Sequence, residues 1–377
     1  MTDAAKPSQV QRTFHAFAGA LRPWLILVVV CAGFSLHPGF RQTFWTAAYL
    51  PNIMQQAATN IILAVGLTFV ILTGGIDLSV GSVMALCGVA LGLTYTGGLP
   101  LFLRCAIALP VGALAAWPAG GALIKRGASR LQLMAALAVI VLLVTAGGVV
   151  LLGGVSRGAT LATALLAALA VGSTCGLING LVVSVGRVPP FVVTLGMFTA
   201  ARALAVYATD GNSVSSLPQQ LGALGQGLPL VLISLVVVVA GVILHTLTRT
   251  GRMIQAVGAN EEASRLSGVN VGAYKTLAYL LSGVGAALAA IVLTAKFQLA
   301  DTGAGQGAEL NAIAAVVIGG TSLSGGRGTV LGSLVGALTI AVLNAGMVLV
   351  GVKDTLQGVV IGTVIVLAVM LDRRETR

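Results

Sequence analysis

The run PLVLISLVVVVAGVILHTL, residues 229–247, holds no Asp, Glu, Lys or Arg. An α-helix rises about 1.5 Å per residue, so a run of this length is close to what a bilayer core of roughly 30 Å requires. It has no polar stripe with which a soluble helix could meet water, and it predicts a membrane-spanning helix. Read outward in both directions, the chain offers eleven further apolar runs, at 24–40, 53–73, 78–96, 101–124, 131–154, 161–185, 191–209, 274–295, 310–320, 330–350 and 356–371. The run at 310–320 is too short to cross alone, and it predicts a broken helix or a re-entrant segment. The expected fold is an all-α polytopic membrane protein with about 10–12 transmembrane helices, some of them broken or re-entrant.

The composition agrees. Of the 377 residues, 57% are apolar and 8% charged, with a mean hydropathy of +1.02. Soluble domains carry about 25% charged residues, so this chain cannot clothe itself for water. Its 50 glycines suit helices whose backbones approach closely in lipid.

The net charge of +11 does not point to nucleic acid, because the basic residues form no stripe with interleaved aromatics. They fall in small groups between apolar runs, as the positive-inside rule expects of cytoplasmic loops. With both termini inside, fifteen of the 21 Lys and Arg face the cytoplasm, while the segment 210–228 outside has none. The expected layout is a cytoplasmic tail (1–22), a transmembrane domain (23–371) and a second tail (372–377). An A-x-A-type cleavage site is missing after the first run, so an uncleaved first span fits better than a signal peptide.

Enzymatic chemistry finds little footing. Cys31, Cys87, Cys105 and Cys175 lie in or beside apolar runs without CxxC spacing, and His15, His37 and His245 stand isolated. Neither set suggests a metal site or a disulfide framework. The phosphate-cradling pattern G-x-x-x-x-G-K-[ST] is missing, for the chain has no Gly-Lys pair. Nothing resembles a nucleophile with its base, and no catalytic residue or cofactor is expected. Ion-driven transporters usually carry ionisable groups within the membrane. Only Asp77 and Glu309, at span edges, could serve that role.

Two glycine-rich breaks stand out. Gly74-Gly75-Ile76-Asp77-Leu78-Ser79-Val80-Gly81 recurs as Gly319-Gly320-Thr321-Ser322-Leu323-Ser324-Gly325-Gly326, each time after an apolar run. Transporters built from repeated halves place interrupted helices beside the pathway. The first break reads either as a tight turn with Asp77 as helix N-cap or as a discontinuous helix lining the path, and the two readings are compatible. Gly74, Gly75, Asp77, Ser79, Gly81, Glu309, Asn311, Gly319, Gly320 and Ser324 are the candidate pathway or gate residues, together with Asn179. Gly172, Gly176 and Gly180 share one helix face and read as close helix packing. Asn179, beside them, either bonds across that interface or faces solute, and packing is the favoured reading.

The stretch GRMIQAVGANEEASRLSGVNVGAYK, residues 251–275, is polar between two apolar runs. Asn260 suits an N-cap, Glu261 and Glu262 a first turn, and Gly268 a helix stop. A short amphipathic helix exposed between spans is a handle for another protein.

Four stretches carry a resemblance: LTGGIDLSVGS (72–82), VPPFVVTLG (188–196), GANEEASRLSGVNV (258–271) and AELNAIAAVVIGGTSLSGGRGT (308–329). In this order they resemble the permease subunits of bacterial ABC importers for monosaccharides, the ribose/xylose-type branch, over residues 52–372. The resemblance implies a permease in the bacterial inner membrane that pairs with a second copy, identical or not. It further implies a cytoplasmic ABC ATPase, of single or tandem domains, and a periplasmic sugar-binding protein. In that family the G-x-N-x-x-A-x-x-S-G-[IV] segment is the coupling helix. Here that segment (251–272) holds Gly258, Asn260, Glu261, Ala263, Ser264, Ser267, Gly268 and Val269. Residues 101–157 depart from the family as a two-span insertion. Scarce intramembrane charge suits a neutral sugar. Branched-chain amino-acid or nucleoside import, ion-coupled transport and a non-transporting scaffold are the alternatives.

Overall fold

The structure, a computed structural model, describes residues 9–47, 49–108 and 160–375. The expected basic loop at 125–130, the span at 131–154 and most of the run at 101–124 lie outside the described residues. In chain order the helices are α1 (Gln9–Ser35), α2 (Pro38–Phe44), α3 (Leu50–Leu72), α4 (Val80–Thr96), α5 (Leu161–Ser184), α6 (Pro190–Thr209) and α7 (Gln219–Gly222). They continue as α8 (Gly227–Val242), α9 (Arg249–Ala259), α10 (Glu261–Leu266), α11 (Val271–Phe297), α12 (Ala308–Ile318), α13 (Val330–Leu349) and α14 (Asp354–Glu375). Among the described residues there is no strand, only an isolated antiparallel bridge between Val214 and Ala300.

Among the described residues, six helical stretches are long and apolar enough to cross a membrane, with α8 continued to Leu247, or eight if each of two bent pairs counts as one span. Ala308–Ile318 and Thr355–Val364 are shorter apolar helices. The run expected at 24–40 is not one straight helix: α1 and α2 meet at 118°. Pro38 supplies the reason, since proline sits well at the start of α2 but cannot continue α1. The run at 78–96 likewise turns by 107° into the helical segment Leu101–Ala108.

The chain divides into two compact units. The first comprises Met1–Gly75, Ile233–Val269 and Leu310–Arg377, and the second Ile76–Leu232 and Asn270–Glu309.

In the second unit the glycine stripe does what its spacing foretold. A Cβ on Gly172 would meet the Gly283 carbonyl, one on Gly176 the Tyr279 carbonyl, and one on Gly180 the Cα of Thr276. As one number rises the other falls, so α5 and α11 run antiparallel at backbone contact. Each contact removes the space any side chain would need, which is how small residues bind helices in lipid. Ser184 and Thr276 add a hydroxyl pair at 2.9 Å.

The first unit is built on α3 and α13. The Thr68 hydroxyl donates to Ser333 Oγ at 2.7 Å, and both groups are buried. α12 leans on the same helix, with Gly336 facing the Ala315 carbonyl and Gly319 the Gly332 carbonyl. Phe34 of α1 lies over Gly346 of α13, and Phe34, Phe40 and Phe44 stack in series at 5.4 and 4.3 Å.

Candidate functional site

In the second unit, the part of the first glycine-rich break at 76–81 carries a buried carboxylate. Asp77 is 2% exposed. Its Oδ1 accepts from the Ser79 amide at 2.9 Å and the Ser79 hydroxyl at 2.6 Å, and its Oδ2 accepts from the Ser282 hydroxyl of α11 at 2.8 Å. Asn179 of α5 extends the chain, donating from Nδ2 to Ser79 Oγ at 3.0 Å. The Thr194 hydroxyl of α6 donates to the Ile76 carbonyl at 3.2 Å. Asp77 is therefore not the N-cap of α4; that position belongs to Ser79, without a side-chain cap bond. The aspartate instead gathers the break, α5 and α11 into one polar knot, which Asn179 joins through Ser79. The Asn179 Oδ1 is buried and lacks a partner.

A second cluster in this unit joins Gly81 and Glu309. A Cβ on Gly81 would meet Glu309 Oε2 and the Gly305 carbonyl. Glu309 Oε1 accepts from the Gly307 amide at 3.2 Å, while its Oε2 is buried and unpartnered. Arg202, which the sequence reading passed over, bonds through Nη1 to the carbonyls of Thr302 and Ala304. Its acceptors are backbone oxygens a hundred residues away, so no side-chain pattern announced them.

In the first unit, the polar stretch at 249–268 forms two helices meeting at one residue. Thr248 caps α9, its hydroxyl accepting from the Gly251 amide at 3.2 Å. Asn260 closes α9, its amide bonding to the Ala256 carbonyl, and opens α10, its Oδ1 accepting from the Ala263 amide at 2.9 Å. Glu261 pairs with Arg265 at 2.9 Å, one helical turn on. At the far end Gly268 has φ +80°, and the Val269 amide bonds to the Ser264 carbonyl at 3.0 Å, a Schellman stop. Ser264 is buried while Ala263, Arg265, Leu266, Ser267 and Gly268 are exposed. Leu266 is 84% exposed, an apolar side chain held out from the short helix.

The other candidates fall as follows. The Leu72 carbonyl at the end of α3 accepts from the Gly326 amide at 2.9 Å. Gly258 lies against this bond. Gly320 ends α12 with φ +84°, Gly319 is packed on α13, and Ser324 is exposed at the turn beyond. Asn311 stands half-buried on α12, outside these clusters. The described residues hold no group of three metal-ligating side chains.

The permease family described as branched-chain amino acid transport system / permease component matches residues 49–159 and 127–369. The chain belongs to this family. The permease is also 37% identical to the ribose import permease protein RbsC of Escherichia coli K12, over 93% of this chain and 92% of that one. The RbsC protein of Bacillus subtilis is 33% identical over 100% and 99%, respectively. The D-allose transport system permease protein AlsC of E. coli K12 is 31% identical over 96% and 93%. No solved structure matches the permease. Both family matches include residues 127–157 of the segment 101–157, expected from the sequence to be an insertion. The permease is a multi-pass membrane protein.

Proposed function

We propose that this permease forms the translocation path of an ATP-driven importer of a neutral monosaccharide in the bacterial inner membrane. The observation that carries the reading is similarity over nearly the whole chain to permeases named for ribose and D-allose. Amino-acid import, which the family's description names, is less favoured, because the relatives matched over nearly the whole chain are named for sugars. A separate cytoplasmic ATPase hydrolyses the ATP, an external binding protein delivers the sugar, and two permease copies pair in the membrane. The chain runs with both termini inside, as its basic residues favour.

Within this reading α10 docks into the ATPase. Residues Gly258, Asn260, Glu261, Ala263, Ser264, Ser267, Gly268 and Val269 shape that element, and exposed Leu266 supplies an apolar anchor. The candidate pathway or gate residues are Gly74, Gly75, Asp77, Ser79 and Gly81 of the first break, Gly319, Gly320 and Ser324 of the second, Asn179 of α5, and Glu309 and Asn311 of α12. The polar knot around Asp77 holds the first break in shape.

The test is reconstitution. Proteoliposomes holding this permease, its ATPase and the binding protein should accumulate labelled ribose or a related sugar only when ATP is supplied to the ATPase side. Accumulation without the ATPase, or ATP hydrolysis by the purified permease alone, would overturn the reading.

A further inference from the structure

We propose that Gly258, Leu72 and Gly326 form a rigid backbone junction through which displacement of α10 reaches both glycine-rich breaks. This rests on the reading of α10 as the ATPase-docking helix. The junction lies wholly within the first unit. Leu72 is the last residue of α3, and its carbonyl accepts from the Gly326 amide at 2.9 Å. A Cβ on Gly258 would strike that same carbonyl oxygen and lie 2.8 Å from the Gly326 nitrogen. A Cβ on Gly326 would lie 2.5 Å from the Cα of Ala259, and one on Gly325 would lie 2.8 Å from the Gly74 nitrogen. Three segments far apart in sequence thus meet backbone on backbone.

The position of this contact gives it a use. Ala259 immediately precedes Asn260, which closes α9 and caps α10. Interfaces made of long side chains absorb small shifts by changing rotamer. Glycines have none to change, and close-packed backbones transmit strain rather than damp it. A shift of α10 is therefore passed to the Leu72–Gly326 bond. From there it has two outlets. Leu72 leads into Gly74, whose φ is +77°. Gly326 belongs to a turn in which the Ser322 amide bonds to the Arg327 carbonyl at 2.9 Å. The junction is a positioning element and needs no contact with the sugar.

The experiment uses the full complex in proteoliposomes, at matched permease content. Gly326→Ala sets a methyl group against the Ala259 backbone, away from the docking face of α10. ATPase retention, and hydrolysis without binding protein, should stay within about twofold. Stimulation of hydrolysis by the binding protein, and sugar uptake, should fall by about tenfold, within the usual range of coupling free energies. Gly258→Ala reaches the same junction from the other side and should lose uptake as well. Normal stimulation and uptake in both variants would overturn the relay, and so would loss of ATPase retention in Gly326→Ala. Should both variants fail to fold, a measurement on unaltered glycines decides. With the four native cysteines replaced, Ser324→Cys should change its thiol-labelling rate about threefold between resting and vanadate-trapped complexes. An unchanged rate sinks the proposal. An ATPase that fails to bind the unaltered permease would sink the docking reading and the relay with it. An ATPase that binds while both variants transport normally sinks the relay alone.

Discussion

The two glycine-rich breaks share a sequence pattern but are held by different forces. Both follow an apolar helix that ends in the same way: Gly74 and Gly320 take φ of +77° and +84°. The next residues, Gly75 and Thr321, bond back to the carbonyls of Val70 and Val316. Beyond the stop they part. The first break is tied by side chains, with Asp77 accepting three hydrogen bonds in a buried site. The second is tied by backbone, with Gly325, Gly326 and Gly328 all at positive φ. A side-chain knot fixes one geometry strongly, because breaking it strands polar groups in a dry interior. A glycine turn held by peptide contacts keeps fewer such stakes, and it suits a part that must shift as one piece.

This contrast predicts unequal responses. Asp77→Ala has the largest expected effect. It leaves the Ser79 amide, the Ser79 hydroxyl and the Ser282 hydroxyl without their acceptor, and each buried orphan costs about 1–3 kcal/mol. The loss should be roughly 3 kcal/mol or more, visible as a lower melting temperature and yield of detergent-purified permease. Asp77→Asn retains one carbonyl oxygen and should lose less. Wild-type melting in Asp77→Ala would erase the distinction between the breaks.

A smaller effect sharpens the comparison. Letter by letter, Gly74 aligns with Gly319, yet the left-handed residue in the second break is Gly320. A methyl group on Gly74 or on Gly320 would meet only ordinary contacts, at 3.6 and 3.9 Å. Gly74→Ala and Gly320→Ala should therefore cost the same, about 1–2 kcal/mol each, for the backbone angle alone. Thermal unfolding of the two variants side by side checks the register. A large inequality would mean that the breaks do not share their helix stop.

The same example marks what was legible in the sequence. The spans were readable because lipid tolerates so few charges, and α3, α5, α6, α11 and α13 begin and end within three residues of the apolar runs. The α5 glycine stripe and both ends of α10 were readable because each rests on local chemistry: spacing, an Asn cap and a Gly stop. What stayed hidden depends on partners distant in sequence or on backbone atoms. Ser282 lies 205 residues from Asp77, so a cap was the nearest local role for that aspartate. Arg202 drew no notice, since its acceptors are backbone carbonyls distant in sequence. The letter repeat and the helix stops are one residue out of step, because letters align by identity. A helix stop is set instead by which glycine follows the last turn. The bend at Pro38 was missed because the apolar run was carried through Leu36 to Phe40, although the proline itself was a sufficient signal.

The most direct test of the central claim, that α10 couples this permease to an ATPase, is Gly268→Val. At Gly268 φ is +80° and no heavy atom would lie within 4 Å of an added Cβ. The substitution thus acts through the turn alone, at about 1–2 kcal/mol, and it redirects the chain after α10. The measurement is sugar uptake beside a pull-down of the ATPase, at matched membrane levels of permease. The account predicts that uptake falls sharply and ATPase retention weakens, while the binding protein still docks. Normal uptake with normal retention would contradict it.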